Sequence, residues 1–397
     1  MHMLNFRDAQ AIISSKAKGF GTELIPLGDA GDRVLAQDAF SDRSYPPFNR
    51  SAMDGYAFCL DDWNEGIRTF RIQEIIYAGM TPQKTLAKGY CFKIMTGAPV
   101  PSPANVVIRR EDTAEADGEV SFKISNLREF QNVAREGEDL AKGDLAIKAD
   151  SICTPAVIST LAALGHAEVN VKKLPTVSFF TTGNEVKPIT SEIGPSEIRN
   201  SNEWLIKSLL KKWQLKPWLY AHLIDSPPEL EATIKKSLHC DILIMCGGVS
   251  AGDADYVPQV LEKCGVTKLF HKVAIKPGKP IWCGQMPRGG MVFALPGNPF
   301  SCMVGFKLFI ETYLAKSLGL KSMAEELHLP LGDTRVKKSD LDEFFPVIVQ
   351  GEPSKLVTTA INGSGDIRLG LYADGLAHHP KKTHELSPGT VVSFFKL

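Results

Sequence analysis

The chain has 397 residues, more than one hydrophobic core usually organises, so two to four domains are expected. Lys+Arg and Asp+Glu each total 45, a balance that gives no global support for a nucleic-acid or anionic-membrane partner. No segment approaches the ~20 apolar residues of a membrane span, and the eight cysteines form no C-x-x-C pair, so a reducing, cytoplasmic location is expected.

Residues 5–18 place Ala9, Ile12 and Ile13 on one helical face and predict an amphipathic helix. Residues 22–45 alternate and turn. From 46 to 140 the runs "TFRIQEII", "YCFKIM", "ANVVIRRE" and "EVSFKI", broken by Gly and Pro, predict a compact β domain. "PAVISTLAALG" (155–165) reads as a short helix, with Pro155 in its first turn and Gly165 past its end.

Residues 175–318 change character. "PTVSFFTTG" leads to a helix near 202–213, with Asn200 and Glu203 resembling a capping box. Strand "PWLYAHLI" precedes helix "PPELEATIKKSL", and strand "DILIMC" precedes helix "YVPQVLEKC". "KLFHKVAI", "PIWCG" and "MVFALP" then read as strands before a long helix from about 299. Strand–helix alternation with continuous apolar strands predicts a parallel-rich sheet covered on both faces. The last seventy residues return to short strands, "FFPVIVQG" to "GTVVSFFKL", and predict a small all-β domain.

In open parallel sheets ligands bind beyond the carboxyl ends of the strands. The loops leaving those ends carry Glu185 in "TTGNEV", Asp225 in "LIDSPP", and Ser250, Asp253 and Asp255 in "CGGVSAGDADYV". "ALPGNPFS" carries Pro296, Asn298 and Pro299, and "KPGKP" carries Lys276 and Lys279. Carboxylates gathered in one crevice repel unless a cation lies among them, and an oxygen-rich site with room for water suits Mg²⁺. Gly247, Gly248 and Gly252 let backbone N–H groups approach an anion, and two lysines complete an oxyanion pocket.

Each feature also has a plain structural reading. Gly-Gly after a strand is usually a turn. Asp225 and Asp255 could cap the helices that follow them. Glu185 could sit in a surface turn, and "KPGKP" and "LPGNP" could be a rigid turn and a helix start. Upstream, "YPPFNRSAMDGYAF" (45–58) reads as a hairpin turn around Asp54-Gly55. "IMTGAP" puts Thr96 in a tight turn, and "REGEDL" puts Glu138 and Asp139 in a charged loop. Co-location at one sheet edge is what favours the functional reading of the α/β set.

Taken in order, "PPFNRSAMDGYAF", "IMTGAP", "GEDL", "TTGNEV", "CGGVSAGDADYV", "KPGKP" and "LPGNP" resemble the MoeA family of molybdopterin molybdotransferases, similar to the E domain of gephyrin. The resemblance runs from about residue 5 to the end. It implies molybdate insertion into adenylylated molybdopterin with release of AMP, helped by a divalent metal, and a homodimer with an inter-subunit active cleft. It also implies a separate MogA-type adenylyltransferase and recipient molybdoenzymes as partners.

The fold it implies is α/β and β multidomain. Residues 1–45 with 141–174 would form an elongated linker domain and 46–140 a β-rich domain. Residues 175–325 would form a MogA-like, doubly wound α/β domain, and 326–397 a C-terminal β barrel. Asp54, Thr96, Asp139, Glu185, Asp225 and Asp255 fall on the family's functional polar positions, with Asp225, Asp255 and Glu185 as metal ligands. Pro296 and Pro299 fall on its proline positions, and Lys276 and Lys279 on positions suited to molybdate or phosphate.

Asn49-Arg50 stands where a common form has Asp-Asn, and Ala134 where arginine is frequent. "NGSGDIRLGLYADGL" lacks a histidine often found after Gly-Ser, which leaves the roles of Ser364 and Arg368 open. Three other readings remain at this point: adenylylation of molybdopterin by the α/β domain, a scaffold like the gephyrin E domain, and a generic nucleotide phosphohydrolase.

Overall fold

The computed structural model describes residues 3–124, 126–249, 256–320, 326–368 and 370–397. The chain falls into two compact units, Met1–Glu23 with Lys172–Leu397, and Leu24–Val171. Helix α1 (Phe6–Ser15) opens the first unit, and Asn5 caps it by accepting from the Asp8 N–H. Ala9 and Ile13 are fully buried, as the helical spacing requires.

Within Leu24–Val171 the main strands are β1 (Gly55–Phe58), β2 (Thr69–Ile76), β3 (Tyr90–Ile94), β4 (Val106–Arg109), β5 (Thr113–Ala116) and β6 (Glu119–Phe122). They form one sheet in the order β4-β1-β3-β2-β6-β5. Both faces are covered. Tyr56, Phe58, Phe70 and Ile108 pack on one side, and Ala57, Ile76, Phe92 and Val107 on the other. That is why "GYAF" is buried without alternation. Helix α2 (Pro155–Ala163) starts with proline behind its cap Thr154, whose side chain accepts from the Val157 N–H.

The first unit continues with strand β7 (Val177–Thr182), α3 (Ser201–Lys212), β8 (Leu219–Leu223), α4 (Pro227–Ser237), β9 (Ile242–Cys246) and α5 (Val257–Lys263). Then come β10 (Thr267–His271), β11 (Ile275–Lys276), β12 (Trp282–Gln285), β13 (Met291–Leu295) and α6 (Pro299–Gly305). A π turn, Phe306–Ile310, joins α6 to α7 (Glu311–Ser317). The sheet order is β8-β7-β9-β13-β12-β10. β8, β7, β9 and β13 run parallel, and β12 runs antiparallel to both of its neighbours, β13 and β10.

Phe180, Leu243, Met245 and Val292 pack with Leu230, Ile234, Val260 and Leu261 of α4 and α5. Strand alternation turns Phe179, Ile244 and Phe293 to the opposite face. The doubly covered, parallel-rich sheet expected from the sequence is therefore present. The single run "KLFHKVAI" is not one strand. It breaks at Lys272, which adopts φ 71, and its second half, β11, joins the C-terminal sheet instead.

That C-terminal sheet contains β14 (Glu326–Pro330), β15 (Asp342–Gln350), β16 (Lys355–Thr358), β17 (Gly375–His379) and β18 (Val391–Lys396). Its order is β11-β15-β17-β18-β14, with β16 paired to β15. A bridge from Leu331, just past β14, to Leu356 of β16 closes the ring into a small barrel. Leu331, Phe345, Val347, Leu356, Ala377 and Phe394 fill it.

Candidate functional site

The parallel strands stop level. Thr182 lies opposite Leu223, Thr181 opposite Cys246, and Cys246 opposite Leu295. The chain beyond each strand therefore opens at one edge, around a cleft of about 820 Å³ lined by Glu185, Asp225, Gly247, Gly248, Pro296, Asn298 and Pro299.

Close approach explains the glycines. Gly247 and Gly248 adopt φ 104 and 64, and a Cβ on Gly247 would lie 2.6 Å from Thr182 Oγ1. No other residue fits that turn without strain. The Glu185 carboxylate folds back over the preceding turn, since a Cβ on Gly183 would lie 2.9 Å from Oε2. Asn184 Oδ1 accepts from the Asp225 N–H at 3.1 Å, tying the two acidic loops together. Asp225 lies two residues before the first residue of the following helix. That helix starts at Pro227 behind Ser226, which makes no side-chain cap.

Several cleft residues were not singled out as ligand-facing by sequence reasoning. Asn202 Nδ2 donates to Gly297 O at 2.6 Å. Among the described residues, Asn202 Oδ1 and Thr182 Oγ1 are buried without a hydrogen-bond partner. Unpaired buried polar atoms are costly, so two beside one cleft mark it as built for a polar ligand. Glu197 also lines the cleft. Its carboxyl is held below the usual range, first by the Gly194 N–H and then by Lys187. The signal available was the polar run "IRNSNE" at the start of α3, which reads as a helix cap alone.

A second cavity of about 490 Å³ contains Lys276, Lys279, Arg335 and Glu343 and shares Pro280, Pro296 and Asn298 with the cleft. Lys276 Nζ lies 3.1 Å and Arg335 2.9 Å from the Glu343 carboxylate. Burial would raise the Glu343 carboxyl, but hydrogen bonds from Ser339, Arg335 and Lys276 outweigh it and hold the group below its usual range. Asn298 Nδ2 donates to Ser364 Oγ at 2.8 Å. Arg368 instead pairs with Asp366 in its own loop, at 2.6 Å.

In Leu24–Val171, Asp54 Oδ1 accepts from both the Thr96 N–H and its hydroxyl, each at 2.7 Å. The Asp54 carboxyl is lowered first by that backbone N–H and next by the hydroxyl. The pair is therefore built together, beyond the plain turn that each stretch allows by itself. Asp139 lies in a loop where its N–H donates to Tyr45 O at 3.0 Å. Ala134 pairs with Arg50 across a short ladder, and Asn49 Oδ1 accepts from the Glu136 N–H at 3.0 Å. Ser250, Gly252, Asp253 and Asp255 lie outside the described residues. Among the described residues no three His, Cys, Asp or Glu side chains gather as a metal site.

Two family models match the chain: the MoeA N-terminal region (domain I and II) over residues 4–165, and a probable molybdopterin binding domain over 178–316. A molybdopterin molybdenumtransferase of Haemophilus influenzae is 35% identical, covering 77% of this chain and 76% of its own. The chain belongs to the molybdopterin molybdenumtransferase family. The family member from Bacillus subtilis is 32% identical over 86% of this chain and 81% of its own. The molybdopterin biosynthesis MoeA protein of Pyrococcus horikoshii matches with a TM-score of 0.86 at 26% identity, each chain covered completely.

Proposed function

We propose that this chain inserts molybdenum from molybdate into adenylylated molybdopterin and releases AMP, a step of molybdenum cofactor biosynthesis. The observation that carries the reading is the shared wall between two cavities. The strand-end cleft holds Glu185, Asp225 and the Gly247-Gly248 turn, and the adjoining cavity holds Lys276 and Lys279. An anhydride with its sugar and base needs the larger volume. A tetrahedral oxyanion needs the cationic one beside it.

In this reading Asn202 Oδ1 accepts an N–H of the bound ligand, and Gly247 and Gly248 offer backbone N–H groups to phosphate. Lys276 and Lys279 hold molybdate, and Ser250 would hydrogen-bond it. Pro296 and Pro299 stiffen the loop against which the ligand rests. Glu185 and Asp225 offer hard carboxylate oxygens on a cleft with room for water, a donor set that fits Mg²⁺, with Asp255 as the third ligand. Bound Mg²⁺ would supply Lewis acidity to the pyrophosphate.

Asp54, Thr96 and Asp139 would complete the site from the partner in a homodimer. A separate adenylyltransferase would supply the substrate, and recipient molybdoenzymes in the cytoplasm would take the product. Among the described residues no helix is long and apolar enough to cross a membrane. Of the competing readings, adenylylation accounts for the α/β region alone and leaves the rest of the chain without a role. The test is reconstitution of the full chain with adenylylated molybdopterin, molybdate and Mg²⁺. Stoichiometric AMP and active cofactor support the reading, and AMP-free incubation products would reject it.

A further inference from the structure

A directed hydrogen-bond chain runs beneath the cleft floor, and the cap of α3 sets its direction. Asn200 Oδ1 accepts from the Glu203 N–H at 3.1 Å, which fixes the amide orientation. Its Nδ2 must then donate to Thr181 Oγ1 at 2.8 Å and to the Tyr220 hydroxyl at 3.1 Å. The Tyr220 hydroxyl donates in turn to the Glu203 carboxylate. Thr181 Oγ1 lies 2.9 Å from His222 Nδ1 and 3.4 Å from the Tyr220 hydroxyl. The other imidazole nitrogen, Nε2, lies 3.1 Å from Gly183 O. A carbonyl only accepts, so Nε2 carries the proton, and in the neutral imidazole Nδ1 is then bare and accepts from the Thr181 hydroxyl.

We propose that His222 is a positioning residue of the cleft, locked as the Nε2–H tautomer so that it pins the Gly183 carbonyl and thereby the turn that presents Glu185. Gly183 adopts φ 135, so its peptide orientation is not set by local preference. The Gly183 N–H donates to Leu223 O at 3.3 Å, its carbonyl accepts from the Val186 N–H at 3.3 Å within the turn, and Asn184 Oδ1 accepts from the Asp225 N–H. The imidazole adds the shorter contact on the carbonyl and the one that comes from a neighbouring strand. Because the Glu185 carboxylate lies directly over Gly183, rotation of that peptide moves the carboxylate out of line with Asp225.

This inference deepens the proposed function, since the turnover effect depends on Glu185 acting in that site. Two isosteres separate the two ring nitrogens. His222→Gln places an amide N–H near Nε2 and keeps the donor to Gly183 O. His222→Asn places its oxygen near Nδ1 and keeps only the Thr181 contact. In the full-length enzyme, His222→Gln should retain kcat for AMP release within about threefold. His222→Asn should lose about tenfold or more in kcat with KM little changed, the signature of a misplaced reacting group. Equal activity of the two variants would overturn the proposal.

Histidine-selective ¹⁵N NMR of the ligand-free chain at pH 8, assigned with His222→Gln, reads the tautomer without any turnover. A protonated Nε2 is expected, and a protonated Nδ1 would overturn the proposal. Failure of the wild type to release AMP at all would instead reject the functional reading, with the tautomer measurement still deciding the geometry.

Discussion

The α/β sheet and the C-terminal barrel treat charge in opposite ways. β7, β9 and β13 are buried along their whole length and contain no charged residue. Their polar cargo begins only where the strands end. β15 instead buries Asp342 and Glu343 within the strand, and β17 buries His379. There each group is matched. Asp342 accepts from His378 at 2.8 Å and from the Lys381 N–H at 3.0 Å. Glu343 accepts from Ser339, Arg335 and Lys276. The difference separates two uses of a carboxylate. One satisfied by its own protein holds the fold, while one mounted at a rigid strand end faces a cleft where a ligand can reach it.

The contrast breaks most easily at the cleft. Glu185→Gln and Asp225→Asn should each lower AMP release by about a hundredfold or more, the scale expected for loss of an electrostatic contact in a catalytic site. The melting temperature of Glu185→Gln should stay within about 2 °C of wild type, because that strand end does not depend on the charge for packing. A coincident loss of stability and activity would erase the distinction.

Glu343→Gln should show the converse. It leaves the partly buried Arg335 guanidinium without its carboxylate, which costs about 3 kcal/mol by denaturant titration. Activity per folded molecule should fall less than in the cleft variants, through Lys276 alone.

Gly247→Ala sharpens the comparison at an uncharged position. The left-handed φ and the 2.6 Å approach to Thr182 Oγ1 predict a loss of about 1–3 kcal/mol. Ligand affinity should weaken with it, read by calorimetry with AMP.

The smallest effect is acid dependence in the barrel. Burial first, then Arg335 and Lys337, push His379 down to about 4. Its stabilising contribution is complete above the unfolded value near 6.5 and declines as pH falls toward 4, because the unfolded chain takes up the proton first. Urea titrations should show that decline, by at most about 3 kcal/mol. His379→Leu should remove it while keeping the further loss below pH 4.5, where the depressed Glu343 and Asp342 carboxyls protonate.

The α/β edge was legible because its signals are local. Apolar runs such as "DILIMC" and "MVFAL" without alternation require two covered faces, and a glycine pair directly behind one requires a tight turn. The Asn200 cap was legible for the same reason, and its Oδ1 does accept from the Glu203 N–H. What stayed hidden depends on partners far away in sequence. Nothing in "KLFHKVAI" says that Ile275 will pair with Asp342. Nothing in "IRNSNE" says that Asn202 will hold Gly297. Asp54 looked like half of a turn pair until the structure placed Thr96 against it. Thr182 reads as the end of a strand, and only the approach of Gly247 gives its hydroxyl a place in the cleft wall.

The central claim is that ligand binds beyond the carboxyl ends of β7, β8, β9 and β13. Hydrogen–deuterium exchange of the full chain with and without AMP and Mg²⁺ tests it most directly. Protection is predicted at residues 182–185, 199–202, 246–249 and 296–299, with the interior of the barrel unchanged. Protection confined to other segments, with those four unaltered, would contradict the account.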